Sequence, residues 1–274
     1  MIYQRPDSVE ISLEDYIRRY GSEEKARQRL YNIGAGSWSH SCWTNLDLPA
    51  QTEAYAKIQA PCIHHDLVSE SALPIATGTA DAVYCSHVVE HLPDAVVLTF
   101  MRDVFRCLHQ GGVFRVTTGP CADLDWEALM REDEAWWYWF KNMDVTNAAD
   151  TELPQMTIYD YWLYSVATPK SQYSPSKCHK KLGSEEIKNL VKTHIGNRDG
   201  LLNQLTHALQ FNYDSPGDHI SWWNFEKLRK FLMEAGFTEI YRSAFGQSTL
   251  VLMRDLRHFD RTYPQISVYV EARR

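Results

Sequence analysis

Between residues 29 and 118 the apolar positions form short continuous runs and then one long stripe of helical period. The runs Arg29–Ile33, Thr44–Leu48, Cys62–Leu67 and Ala80–Ser86 each end at a turn-forming or polar residue and read as strands. Val96, Val97, Phe100, Met101, Val104, Phe105 and Leu108 then recur at three- and four-residue steps, which predicts a helix with one apolar face laid on a sheet. Pro93 suits the first helical position and Asp94 the positive end of the dipole. Gln110-Gly111-Gly112 is expected to stop the helix before a strand over Val113–Thr118. Upstream, residues 12–28 read as a short helix opened by Ser12-x-x-Asp15, a variant of the capping box.

From Gly119 to about Asp218 this pattern loosens into an aromatic-rich stretch. It resumes with a helix over Ser221–Ala235, striped by Phe225, Leu228, Phe231 and Leu232 and closed by Gly236 at the C′ position. Two strands follow, near Thr238–Phe245 and Ile266–Ala272. Strands alternating with helices imply βαβ units. The expected fold is therefore α/β: a Rossmann-like, mainly parallel sheet with helices on both faces and an aromatic-rich insertion after the fifth strand. The expected segments are an N-terminal helical piece (1–28), a cofactor-binding half (29–118), a helical insertion on the substrate side (119–218), and a C-terminal helix with two strands (219–274).

Composition narrows the function classes. With 44% hydrophobic residues, 274 residues suffice for one large core and a domain-sized insertion. A net charge of −7 argues against a nucleic-acid backbone as the main partner. The basic cluster Lys177, His179, Lys180 and Lys181 reads as a solvated loop. The six cysteines form no CxxC pair, so a disulfide framework is not expected and a reducing, cytoplasmic setting fits. No apolar run is long enough to span a bilayer, and the first residues have no apolar signal-peptide core.

The chemistry begins at Tyr31-Asn32-Ile33-Gly34-Ala35-Gly36, a strand running into a glycine turn, where the backbone can pass close to a ligand and take positive φ. Asp47 closes the following strand and Asp66 the one after. In a doubly wound sheet, ligands lie beyond the carboxyl ends of the strands, where a carboxylate can accept both hydroxyls of a ribose. A dinucleotide site would show GxGxxG opening a helix whose N-terminus takes the pyrophosphate. Here Ser39 occupies the third glycine position, and the few residues up to Trp43 leave room for a helix of one turn at most. A phosphate-free nucleoside such as S-adenosylmethionine tolerates that loss.

With these residues the stretch resembles the class I S-adenosylmethionine-dependent methyltransferases, of the methyltransferase type 11 kind. The segments that carry the resemblance are Asn32–Gly36, Trp43-Thr44-Asn45-Leu46-Asp47, His65-Asp66-Leu67, Asp81–His87 and Leu108–Phe114. The resemblance implies that Gly34, Ala35 and Gly36 meet the methionine part of S-adenosyl-L-methionine. It also implies that Asp47 holds the ribose, that Asp66 and Leu67 hold the adenine, and that Ser86 and His87 line the methyl end. Asn32 stands where the family usually has an acidic residue and can still accept a hydrogen bond from the cofactor's amino group.

Three features remain open. His87-Val88-Val89-Glu90-His91 also spells HxxEH, which on one helix would make His87 and His91 zinc ligands with Glu90 as base, a zinc hydrolase. The run Ala80–Ser86 opposes this by reading as a strand into His87. Asp218-His219, just before the returning helix, makes His219 the first candidate for a general base, with His91 as a second. Trp222 and Trp223, part of the aromatic-rich stretch, could stack on a small-molecule or sugar-like acceptor or simply form core. A protein that binds the cofactor without turnover is the remaining alternative.

Overall fold

The computed structural model describes residues 9–70, 72–141, 156–178 and 180–274. Its strands are β1 (Leu30–Ile33), β2 (Thr44–Asp47), β3 (Ile63–His64), β4 (Ala80–Ser86), β5 (Leu108–Thr118), β6 (Glu239–Ser243) and β7 (Val268–Arg273). They form one sheet of order β3-β2-β1-β4-β5-β7-β6, in which β7 runs antiparallel to both neighbours and the β3-to-β5 pairings are parallel. This is the Rossmann-like α/β sheet expected. All four residues of β1 are buried, as a central parallel strand covered on both faces requires.

By contacts the chain divides into two compact units. The first comprises Met1–Val89, Asp94–Gly119 and Phe225–Arg274 and contains the sheet. The helix Asp94–Cys107 buries Val97, Phe100, Met101 and Val104 of its predicted stripe. The helix Phe225–Ala235 buries Leu228 and Leu232 and packs beside it, with Lys227 bonded to Asp94 at 2.8 Å. Each such apolar side chain removed from water contributes about 1.5–3 kcal/mol.

A charged cluster lies inside this unit. Arg115 on β5 is fully buried and donates to Asp260 at 3.1 and 2.5 Å, to Glu271 on β7 at 2.9 Å, and to Ser243 Oγ on β6 at 2.9 Å. The cluster ties three neighbouring strands to the segment before β7. The run Val113–Thr118 had given no sign of it.

Four departures from the sequence expectation exceed two residues. The first helix is two, Leu13–Tyr20 and Glu23–Arg27, because Gly21 takes φ 87° and ends the first with a left-handed cap. The third run pairs only over Ile63–His64. The long helix does not stop at the glycine pair: it passes directly into β5 at Leu108, and the glycines lie inside that strand. Gly111 takes φ 84°, and a Cβ on Gly112 would sit 2.9 Å from the Ala80 carbonyl oxygen, where the β4–β5 register shifts. The last helix starts at Phe225 rather than Ser221.

The second unit comprises Glu90–Pro93 and Pro120–Asn224, so residues 219–224 belong to it rather than to the C-terminal part of the sheet unit. The cause is hydrogen bonding. The Ala122 amide donates to the Trp223 carbonyl at 2.9 Å, and the Ile220 and Ser221 amides donate to the Glu90 carbonyl at 2.9 and 3.1 Å. Its longer described helices are Ala122–Met130, Ile158–Val166, Ser184–Thr193 and Arg198–Thr206. Trp137, Trp162 and Trp223 are among its fully buried side chains.

In the basic cluster, Lys181 donates to the Ser174 and Ser176 carbonyls at 3.0 and 2.5 Å and Lys180 pairs with Glu186. His179 lies outside the described residues. None of the six cysteines forms a disulfide, and no helix among the described residues is long and apolar enough to cross a membrane.

Candidate functional site

The glycine turn follows β1 without any intervening helix before β2. Gly34 takes φ 69° and Gly36 φ 55°, conformations that side chains with a Cβ rarely adopt. At Gly34 space is also closed, since a Cβ there would lie 2.2 Å from Val88 Cγ2. The Gly34 amide donates to the Leu46 carbonyl at 2.8 Å, which holds the turn against the end of β2. Ala35 is buried and its carbonyl accepts from the Trp38 amide.

Asp47 comes to this turn. Its Oδ2 accepts from the Gly36 amide at 2.7 Å, and Oδ1 accepts from the Leu48 amide at 2.8 Å. Tyr55, on the short helix Glu53–Ile58, donates its hydroxyl to Asp47 Oδ2 at 3.2 Å. Burial and the neighbouring Asp47 carboxylate push that phenol up to about 12, so it stays a donor throughout the physiological range. Its oxygen is also the nearest atom, at 3.6 Å, to the position a Cβ on Gly36 would take. Sequence reasoning missed Tyr55, because its helix has no motif and its role appears only when β2 and the turn meet.

Asp66 lies two residues beyond the end of β3 and builds its own turn, accepting from the Val68 amide at 2.8 Å and the Ser69 hydroxyl at 2.6 Å. Leu67 is half-buried in that turn. The preceding amide, His65, donates to the Asp47 carbonyl at 2.9 Å, so the segments carrying both carboxylates are directly linked. Asn32 is buried in the middle of the sheet between Asn45 and Tyr84.

At the end of β4, Ser86 Oγ accepts from Thr117 Oγ1 at 2.7 Å. His87 has φ 56°, its amide donates to the Thr117 carbonyl, and its Nε2 is 2.9 Å from Ser267 Oγ. A left-handed residue leaving a strand cannot be the first ligand of a helical HxxEH pair. Only Val89–His91 forms a single 3₁₀ turn, so the one-helix zinc reading of His87 and His91 is overturned by the backbone.

The other histidine candidates belong to the second unit. His91 Nδ1 lies 3.1 Å from the Asp218 carbonyl and His219 Nδ1 2.6 Å from the Ser165 carbonyl. Their ring centroids are 5.0 Å apart. A carbonyl only accepts, so each Nδ1 carries a proton. His219 is pinned further by its amide on Thr168 Oγ1 and by its carbonyl accepting from the Thr168 amide. Because the returning helix starts at Phe225, His219 sits in the extended segment before it and not at its first turn.

Ser165 also donates to Asp125, whose carboxyl is pushed up to about 7, chiefly by burial. Trp222 is 6% and Trp223 1% exposed, and the Trp222 indole N–H donates to Asn203. Their rings are covered in this conformation, which favours the core role over stacking on an acceptor.

Residues 17–150 match a family model described as a methyltransferase domain. No curated protein matches the chain. Among solved structures, it is similar to an S-adenosylmethionine-dependent methyltransferase from Thermotoga maritima described as a possible histamine N-methyltransferase (13% identity over 93% of this chain and 88% of that one, TM-score 0.39). Two further similar structures are S-adenosylmethionine-dependent methyltransferases. One is from Mesorhizobium loti (14%, 96% and 100%, TM-score 0.41) and the other from Archaeoglobus fulgidus (12%, 96% and 95%, TM-score 0.41). Likenesses this distant say nothing about an acceptor or about site residues.

Proposed function

We infer that this chain is a class I S-adenosylmethionine-dependent methyltransferase that acts on a small-molecule or sugar-like acceptor through the exit of β1. The observation that carries the site assignment is the 2.7 Å hydrogen bond from the Gly36 amide to Asp47, which joins the glycine turn to a carboxylate at the end of the next strand. Both glycines have the backbone a close-approaching ligand needs, and a Cβ at Gly34 has no room. These residues fit a nucleoside with no phosphate.

In this reading Gly34, Ala35 and Gly36 present main-chain atoms to the methionine part, with Asn32 beside them. Asp47, steadied by Tyr55, accepts from the ribose hydroxyls. Asp66 and Leu67 border the adenine, and Ser86 and His87 the methyl end. S-adenosylmethionine supplies a methyl group on a sulfonium, open to in-line displacement by the acceptor. The protein's share is alignment and exclusion of water, and orientation of this kind can be worth about 7–11 kcal/mol. A hydroxyl acceptor needs a base, and His219 or His91 is the proposed one; a positioned base contributes on the order of 10²–10⁴-fold.

Titration calorimetry with S-adenosylhomocysteine tests the site. Replacing Asp47 with Asn keeps the volume and the hydrogen bond from Gly36 but removes the charge. A hydrogen bond to a charged group contributes about 1.5–3 kcal/mol, so affinity is expected to fall about tenfold or more with the melting temperature little changed. Unaltered affinity in the variant would remove Asp47 from the site, and absence of binding to the parent protein would remove the site itself.

A further inference from the structure

The second unit brings together a trio that the HxxEH motif does not describe. Glu90, His91 and His219 each offer a ligand atom, and these atoms lie within 4.8 Å of one another. We propose that these three side chains form a binding site for a divalent transition-metal ion, with Glu90, His91 and His219 as protein ligands and the remaining positions open to oxygen donors. The proposal stands on the second unit alone and does not depend on the methyltransferase reading; with an ion bound, His91 and His219 are its ligands and not the general base.

Three observations support it. The donor set is two imidazoles and one carboxylate, which suits Zn²⁺, Mn²⁺, Fe²⁺ or Co²⁺ and leaves room for water or a hydroxyl. Both rings are already oriented as metal-bound histidines are. Nδ1 of His91 is hydrogen-bonded to the Asp218 carbonyl and Nδ1 of His219 to the Ser165 carbonyl, the outer contact that orients a metal-binding imidazole. Finally, the backbone holds the ligands together from distant points of the chain. The Glu90 carbonyl accepts the amides of Ile220 and Ser221, directly after His219, and His219 is bonded on both sides of its peptide to Thr168.

Burial points the same way. Glu90 is 2% exposed, and a cation beside it offsets the cost of keeping a carboxylate out of water. Metal–ligand bonds of about 2.0–2.2 Å put ligand atoms roughly 3–3.5 Å apart. The observed spacing, up to 4.8 Å, is wider than that, so the side chains draw together when an ion binds. His87, the first histidine of the motif, takes no part, since its ring is engaged by Ser267 in the sheet unit.

The test uses the full chain, stripped with a chelator and dialysed against Zn²⁺, Mn²⁺ or Co²⁺ in separate experiments, with bound metal counted per chain. About one ion per chain is expected for at least one of the three metals. His91→Gln and His219→Gln should each weaken binding about tenfold or more, with Glu90→Gln doing the same. The Co²⁺ spectrum of the unaltered protein provides a second readout that needs no variant. Visible d–d bands without a thiolate charge-transfer band indicate a nitrogen–oxygen set, whereas a thiolate band places the ion on a cysteine and overturns the assignment. No metal retained above background, or retention unchanged in both histidine variants, also overturns it. S-adenosylhomocysteine affinity is measured alongside, and its loss or survival reports on the sheet unit separately.

Discussion

Replacing Gly34 with Ala tests the glycine turn where its geometry is most demanding. The left-handed backbone at φ 69° costs an alanine about 1–2 kcal/mol. The added methyl also arrives 2.2 Å from Val88 Cγ2 and 3.3 Å from Val88 Cβ and Cγ1, far inside van der Waals contact, and overpacking of that kind costs about 1–3 kcal/mol. The two contributions sum to about 2–5 kcal/mol, and they can be separated. Val88→Ala removes both offending Cγ atoms and leaves the backbone angle as it is. In that background Gly34→Ala should cost only the conformational part, so a double-mutant cycle should show a coupling of about 1–3 kcal/mol. Urea unfolding followed by circular dichroism measures all four corners. S-adenosylhomocysteine titration on the same proteins should show affinity lost in Gly34→Ala and partly recovered in the double variant. If the substitution costs less than about 0.5 kcal/mol, or costs the same whether or not Val88 is present, the turn is not packed as described.

Two further substitutions address buried charge. Asp125, fully buried and pushed up to about 7 from its ordinary 3.8, favours the protonated acid when folded. Its contribution to stability is therefore full below pH 3.8 and is lost as pH rises toward 7. Asn mimics the protonated acid and can keep the contacts with Trp136 and Ser165. Asp125→Asn should therefore gain on the parent by roughly 2–3 kcal/mol between pH 5 and pH 8, read as the change in unfolding free energy; a difference independent of pH would refute it. Arg115→Met leaves Asp260 and Glu271 buried without their guanidinium and should cost about 3–5 kcal/mol in urea unfolding. A loss below about 1 kcal/mol would mean that water or another group replaces the ion pairs.

Much of the sheet unit was legible because its signals are local. The stripe from Val96 to Leu108 marks a helix by its own period, and Ala80–Ser86 coincides with β4 to the residue. Where local signals competed, the reading failed. Gly111 and Gly112 look like a helix stop, yet they serve a register shift inside β5 that only the pairing with Ala80 reveals. Gly21 falls inside the run read as one helix, but the glycine ends the first helix and Ser22 caps the start of the second.

The site divides along the same line. Short apolar runs and a stripe of helical period are written in contiguous residues and sufficed for the fold, and the two turn glycines and an aspartate at the end of a strand are equally local. Tyr55 on Asp47, Arg115 between two carboxylates, and His219 rather than His87 beside Glu90 and His91 were decided by packing. Each of these pairs residues far apart in the chain, held by carbonyls and amides of third segments such as Ser165 and Thr168. Hydrophobic periodicity sets which face of an element turns inward. Which side chains of different elements then meet depends on how those faces stack, and no local pattern encodes that.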